Sequence, residues 1–218
     1  MHVTAALRGM SLGVITIALP CHLMTSVTLK PMSRWKPDAA GRLVKAAMTL
    51  FDERGYEATT VAEIAESAGL TKRTFFRYFS DKREVLFMGS AQLQDHWATA
   101  VRNAPPDVGA IDAVKVGLDA VAELFSERHP LARIRARIIA ANPELHEREL
   151  IKLAKLADAL ADALRARGVA DPAAELAAQT GVTIFHSAFG RWVRQDDPEA
   201  LRRLMDESLA DLRAVVAG

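Results

Sequence analysis

From residue 37 to the C-terminus the apolar residues recur every three or four positions, and prolines and glycines interrupt that recurrence at short intervals. This period belongs to helices whose one face is buried, and no stretch alternates apolar and polar residues as a half-buried strand would. Leu43, Ala46, Ala47, Leu50 and Phe51 mark the first such face, with Gly55 placed to close its helix. Thr60 followed by Glu63 has the form of a capping box and opens a short helix that ends at Gly69. Thr71 opens another, running through Phe79. Asp81-Lys82-Arg83-Glu84 reads as a second capping box, predicting one uninterrupted helix that fades near Asn103 and breaks at Pro105-Pro106. The same reasoning predicts helices over 108–127, 131–141, 143–167, 171–195 and 197–217. The expected fold is all-α, about nine helices, with no internal repeat or low-complexity tract.

Composition sets the bounds on function. Half of the 218 residues are hydrophobic and a quarter charged, the usage of an ordinary globular protein. The formal net charge is only +1, so no global basic field points to nucleic acid, but residues 32–83 carry ten basic and seven acidic side chains. Cys21 is the only cysteine, so neither an intrachain disulfide nor a cysteine-based zinc site can form. The expected location is cytoplasmic. The apolar run Met10–Leu19 is shorter than the roughly 18 residues needed to span a bilayer, and no membrane partner is expected. It also lacks the flanks of a signal peptide. Residues 1–31 are therefore expected to be a non-native or disordered extension, with Met24 and Met32 available as alternative starts.

The segment 60–79 has the length and punctuation of a helix-turn-helix, two short helices joined by a tight turn at Gly69-Leu70. Its second helix presents Thr71, Lys72, Arg73, Thr74 and Arg77 near the end that enters a major groove, where Lys and Arg meet guanine edges and phosphates. Phe75 and Phe79 should pack inward, and Tyr78 has a hydroxyl to offer the backbone. On spacing alone, a solvated charged face explains the pattern equally well.

The string from Ala46-Ala47-Met48-Thr49-Leu50-Phe51 through Gly55-Tyr56, Thr59-Thr60-Val61-Ala62-Glu63-Ile64-Ala65 and Ala68-Gly69-Leu70-Thr71-Lys72-Arg73-Thr74-Phe75-Phe76-Arg77-Tyr78-Phe79-Ser80-Asp81-Lys82 resembles the TetR family of transcriptional regulators. The resemblance covers residues 38–86 with the family's spacing. It implies a DNA-binding domain over 37–97, a ligand-binding and dimerisation domain over 98–218, and a homodimer on a pseudo-palindromic double-stranded operator. It also implies phosphate contacts from Thr60 and Lys82. Phe76 stands where the family usually has tyrosine, so Tyr78 is left to supply the hydroxyl contact, and Arg73 replaces a glycine common among relatives.

The C-terminal half, with Arg133, Arg135, Arg137 and Asn142-Pro143-Glu144-Leu145, looks like a subgroup that takes acyl-CoA-like effectors. Candidate lining residues for a small-molecule effector are Met88, Trp97, Phe125, His129, Phe185, His186 and Phe189, each of which plain core packing also explains. The three arginines suit a phosphate or carboxylate, although Arg135 points away from the other two. Dimerisation is expected through the last two helices, on apolar residues including Ile184, Phe185, Phe189, Trp192, Leu201, Leu204, Leu209, Leu212 and Val215. The scattered histidines and missing nucleophile and phosphate-loop patterns give no enzyme signature, and no cofactor is implied. The alternative is a helical module that binds small molecules or proteins without touching DNA.

Overall fold

A computed structural model describes residues 38–125 and 127–218; the expectations for residues 1–31, Cys21 included, lie outside them. The described residues form nine α-helices and no strand: α1 (Ala39–Arg54), α2 (Val61–Ser67), α3 (Lys72–Tyr78), α4 (Ser90–Arg102), α5 (Ala110–Phe125), α6 (His129–Ala140), α7 (Pro143–Ala166), α8 (Asp171–Trp192) and α9 (Ala200–Ala217). The all-α expectation holds. Among these residues no helix is long and apolar enough to cross a membrane.

Two apolar cores organise the helices. The first gathers Leu43, Ala47 and Phe51 of α1, Ile64 and Ala65 of α2, and Phe75 of α3. It also takes in Ile138, Ile139 and Leu145 from the corner between α6 and α7. The second is built by α4, α5, α7, α8 and α9 around Trp97, Leu118, Leu160, Phe185, Trp192 and Leu204. Arg167, just past α7, caps the end of α4 by donating to the carbonyls of Arg102, Ala104 and Pro105. The Trp192 indole donates to the Pro198 carbonyl at 2.9 Å and pins the turn between α8 and α9.

The continuous helix expected from Asp81 to Asn103 does not form. The Asp81 carboxylate does accept from the backbone N–H of Arg83 and Glu84, at 2.8 and 3.2 Å. It opens only a short 3₁₀ segment, Arg83–Phe87, and the chain breaks at Met88-Gly89 before α4 begins. The reason is that the two halves serve different cores. Val85, Leu86 and Phe87 are buried in the first, whereas Trp97 and Val101 are buried in the second. Glu84 does not reach back to close a capping box, because its carboxylate is held by Arg148 and Lys152 of α7.

Candidate nucleic-acid interface and its link to the second core

The pair α2–α3 is assembled by local hydrogen bonds. Thr60 caps α2: its hydroxyl accepts from the Glu63 N–H while the Glu63 carboxylate accepts from the Thr60 N–H at 2.8 Å. The Thr60 hydroxyl, which also donates to that carboxylate, and then the Thr60 N–H hold the Glu63 carboxyl below its ordinary range. The helix ends in a Schellman turn, with Leu70 N–H donating to the Ala65 carbonyl and Gly69 N–H to that of Glu66, both at 2.8 Å. Gly69 sits at φ +65°, a conformation in which a side chain is strained. Arg42 of α1 donates to the Ala68 carbonyl at 2.9 Å, fastening the turn to the first core. Thr71 then caps α3 by accepting from the Thr74 N–H at 3.1 Å.

This construction leaves one face of α3 in solvent. Phe75 and Phe79 are buried, whereas Thr71, Lys72, Arg73, Phe76, Arg77 and Tyr78 are exposed and Thr74 is half-buried. Neither α3 nor its cap carries an acidic residue. Lys72 and Arg73 form no ion pair among the described residues, so both cations point outward uncompensated. Arg77 lies 5.0 Å from the Tyr78 ring centroid and donates to its hydroxyl at 3.3 Å, so a neighbouring side chain holds the Tyr78 hydroxyl.

Two residues expected on phosphate have work inside the chain. Lys82 is half-buried; its ammonium donates to the carbonyls of Tyr56 at 2.7 Å and Thr59 at 3.1 Å and sits 4.0 Å from the Tyr56 ring centroid. An ammonium has three donors, so one is left for an outside acceptor. The Thr60 hydroxyl donates to Glu63 at 2.7 Å.

In the second core the candidate effector residues divide. Trp97, Phe125, His129, Phe185 and Phe189 come together, and Trp192, which was not among them, completes the group. Ring centroids lie 5.5 Å apart for Trp97–Phe185, 5.5 Å for Phe125–Phe189 and 4.6 Å for His129–Trp192. His129 is buried and its Nε2 donates to the Trp192 carbonyl at 3.2 Å. Met88 and His186 stay outside this group, Met88 about half exposed at the Gly89 break and His186 on the exposed face of α8. The rings pack on one another, and the Trp97 indole nitrogen is buried without a hydrogen-bond partner among the described residues.

Known proteins share this fold. Residues 43–87 match the profile of bacterial regulatory proteins of the tetR family, and residues 108–217, about half the chain, match that of the MftR C-terminal domain. The chain belongs to the TetR family. It is a DNA-binding transcriptional regulator with a helix-turn-helix reader. The HTH-type transcriptional regulator TcmR of Streptomyces glaucescens is 28% identical over 185 residues, covering 79% of this chain and 81% of that protein. Among solved structures, FadR from Bacillus subtilis in complex with stearoyl-CoA gives a TM-score of 0.56 at 20% identity, over 78% of this chain and 95% of that one. FadR from Thermus thermophilus, a TetR-family repressor solved with lauroyl-CoA, gives 0.51 at 24% identity, over 78% and 91%. At such identities the likeness shows the fold.

The two cores are joined at the α6–α7 corner. Arg135 donates to the Leu86 carbonyl and to Glu149, at 2.8 and 2.9 Å, with its guanidinium 5.2 Å from the Phe87 ring centroid. Glu84 accepts from Arg148 at 2.7 Å and Lys152 at 3.0 Å. Burial alone would push the Glu84 carboxyl up, but these two cations outweigh it and hold it below its ordinary range. Arg137 donates to Asp52 of α1 at 2.8 Å. Tyr56 hydrogen-bonds Glu144 of α7; burial first, then that carboxylate, pushes its phenol well up. Sequence reading assigns Glu84 to a capping box and does not bring it together with Arg148 and Lys152. One signal was present: Arg148 and Lys152 are like charges four apart on a helix, an arrangement that repels unless an acid sits between them.

Proposed function

We propose that this chain works as a homodimeric, cytoplasmic repressor released by an amphiphilic effector of the acyl-CoA class. The observation that carries the DNA reading is the exposed, acid-free face of α3, where Lys72 and Arg73 project uncompensated beside the capped Thr71. Phosphates fix such a helix in the groove and base edges are read by its N-terminal side chains. Thr60, Thr71, Thr74, Arg77, Tyr78 and the remaining donor of Lys82 are assigned to the same interface. Two copies would read a pseudo-palindromic operator with half-sites about one helical turn apart.

The effector reading rests on the aromatic group of the second core and on the acyl-CoA bound by the two FadR proteins that share the fold. Trp97, Phe125, His129, Phe185 and Phe189 would line the apolar part of that site. Because the rings are packed, the effector selects a state in which they part, and this state holds the α6–α7 corner differently against the first core. For the dimer, most of the apolar residues expected at the interface are consumed within the chain: Ile184, Phe185, Trp192, Leu201, Leu204 and Leu209 are all buried. Of those expected, Val215 is exposed; Leu176 and Val216, which were not among them, are exposed at the same end of the α8–α9 hairpin, and these three are the interface assigned here.

The test is footprinting on the DNA flanking the gene, repeated with a panel of acyl-CoAs, and sizing of Leu176→Glu with Val215→Glu. A symmetric footprint that an acyl-CoA removes, and monomers from the double variant, are expected. A footprint indifferent to every acyl-CoA removes the effector assignment, and an unchanged dimer removes the interface.

A further inference from the structure

We infer that the cleft between α6 and the C-terminal end of α8 is an anion site, for a phosphate or carboxylate group, and that filling it draws Arg137 away from Asp52 of α1. The inference rests on the effector reading above only for the molecule that carries the anion.

The cleft has a volume of about 500 Å³ and is lined by Pro130, Arg133, Ile134, Arg137, Val193 and Arg194. That is within the range of roughly 300–1,000 Å³ typical of small-molecule sites. Pro130, Arg133, Ile134 and Arg137 fall at i, i+3, i+4 and i+7, so one face of α6 supplies them all. Val193 and Arg194 follow directly on α8. The lining is thus three guanidinium groups on an apolar floor, with no acidic residue among them. Guanidinium stays charged at any physiological pH, and its fork fits carboxylate and phosphate oxygens in pairs.

The charge is poorly matched from within the chain. Arg194 has no carboxylate partner among the described residues. Arg133 pairs with Asp196, whose side chain is 92% exposed, and Arg137, itself largely exposed, pairs with Asp52. Exposed pairs of this kind hold weakly, so an anion that engages two or three forks at once displaces them.

Position gives the cleft its consequence. Asp52 lies in the last turn of α1, against which α2 and α3 pack. Arg137 cannot serve Asp52 and a bound anion at full strength together, so the two contacts oppose each other, and that opposition is reciprocal. On its other side the cleft abuts the aromatic group: Pro130 follows His129, Val193 follows Trp192, and the His129–Trp192 pair stands between. An amphiphile would therefore place its anionic head among the arginines and its apolar part toward the rings.

The test is calorimetric titration of the full chain with inorganic pyrophosphate, coenzyme A and lauroyl-CoA. Wild type is expected to take up one pyrophosphate per chain, and Arg133→Gln with Arg194→Gln to weaken it about tenfold, the loss of charge-assisted forks. Asp52→Asn, which removes the internal competitor, should tighten pyrophosphate several-fold more than Asp107→Asn, an exposed carboxylate on the loop before α5. Arg194→Gln alone breaks no ion pair among the described residues and keeps the test sound if the double variant melts early. Pyrophosphate binding that survives these changes but is lost with Lys72→Gln and Arg73→Gln overturns the site, as does no saturable binding at all. Equal effects of Asp52→Asn and Asp107→Asn overturn the tie to α1. If lauroyl-CoA binds no better than coenzyme A while the cleft variants weaken both, the cleft stands and the acyl reading falls. If lauroyl-CoA binds tightly and ignores the cleft variants, the acyl reading stands and the cleft falls.

Discussion

Gly117 of α5 is where the second core is tightest, and replacing it with alanine should measure how tight. A Cβ there would stand 2.3 Å from Trp97 Cδ1, 2.4 Å from Trp97 Nε1 and 2.9 Å from Val101 Cγ2. The Trp97 ring has no room to retreat: it is fully buried, and the Phe185 ring centroid is 5.5 Å from its own. Overpacking a core costs about 1–3 kcal/mol, and ordinary carbon contacts lie near 3.5–4.0 Å, so two ring atoms breached by about 1 Å place this case at the upper end. Alanine in a helix interior returns about 1 kcal/mol relative to glycine. The net expectation is a loss of about 2 kcal/mol, which for a chain of this size lowers the melting temperature by about 4–8 °C. Gly190→Ala is the matched control, because its Cβ would meet only Arg194 Nη1 at 3.9 Å, and it should raise stability by about 0.5–1 kcal/mol. Thermal melts of the three proteins by circular dichroism decide the matter. A Gly117→Ala protein that melts at or above wild type while Gly190→Ala rises would refute the wedge between α4 and α5.

Three further outcomes are expected. Arg73→Ala should cost about 1–3 kcal/mol on the operator and less on scrambled DNA, as read by anisotropy titration; equal losses on both would make Arg73 a backbone contact. Lys82→Ala should lower the melting temperature as well as DNA affinity, since two carbonyls lose a charged donor, an effect of about 1.5–3 kcal/mol for each such bond when buried and less at this half-buried site; an unchanged melt would show the clamp is idle. Glu84 has its folded pKa held below the ordinary 4.5, so its contribution is complete above that pH and fades as pH falls through the folded value. Glu84→Gln should therefore be less stable than wild type at neutral pH, with the gap closing below pH 4.5; a gap constant with pH would mean the ion pairs contribute nothing.

The reader was legible because its signals are local. Thr60 with Glu63, Gly69 at the turn and Thr71 with Thr74 each act within four residues, so their spacing alone marks where α2 and α3 begin and end. The break at Met88-Gly89 was not legible, since it depends on Val85 and Trp97 facing different cores far apart in sequence. Helical spacing marked Trp97, Phe125, Phe185 and Phe189 as inward-facing, yet it could not say that they pack on one another or that His186 faces away. The apolar residues of α8 and α9 misled for a related reason: one chain buries most of them itself. Lys82 shows the limit from the other side, because a lysine beside a reader helix gives no sign in sequence of the carbonyls waiting for it.

The joint between the cores has a bearing on how counterions act. Arg137–Asp52, Arg148–Glu84 and Lys152–Glu84 are at least partly open to solvent, and dissolved ions screen such pairs. On the interface proposed above, raising ionic strength works in two places, at the phosphates that α3 would approach and at the ion pairs that would aim it. Each neutralised phosphate contributes about 0.9 to the slope of log affinity against log salt. A slope measured for this protein will exceed that share, because slackening of the aim adds to it, and phosphate contacts inferred from the slope alone will be overcounted.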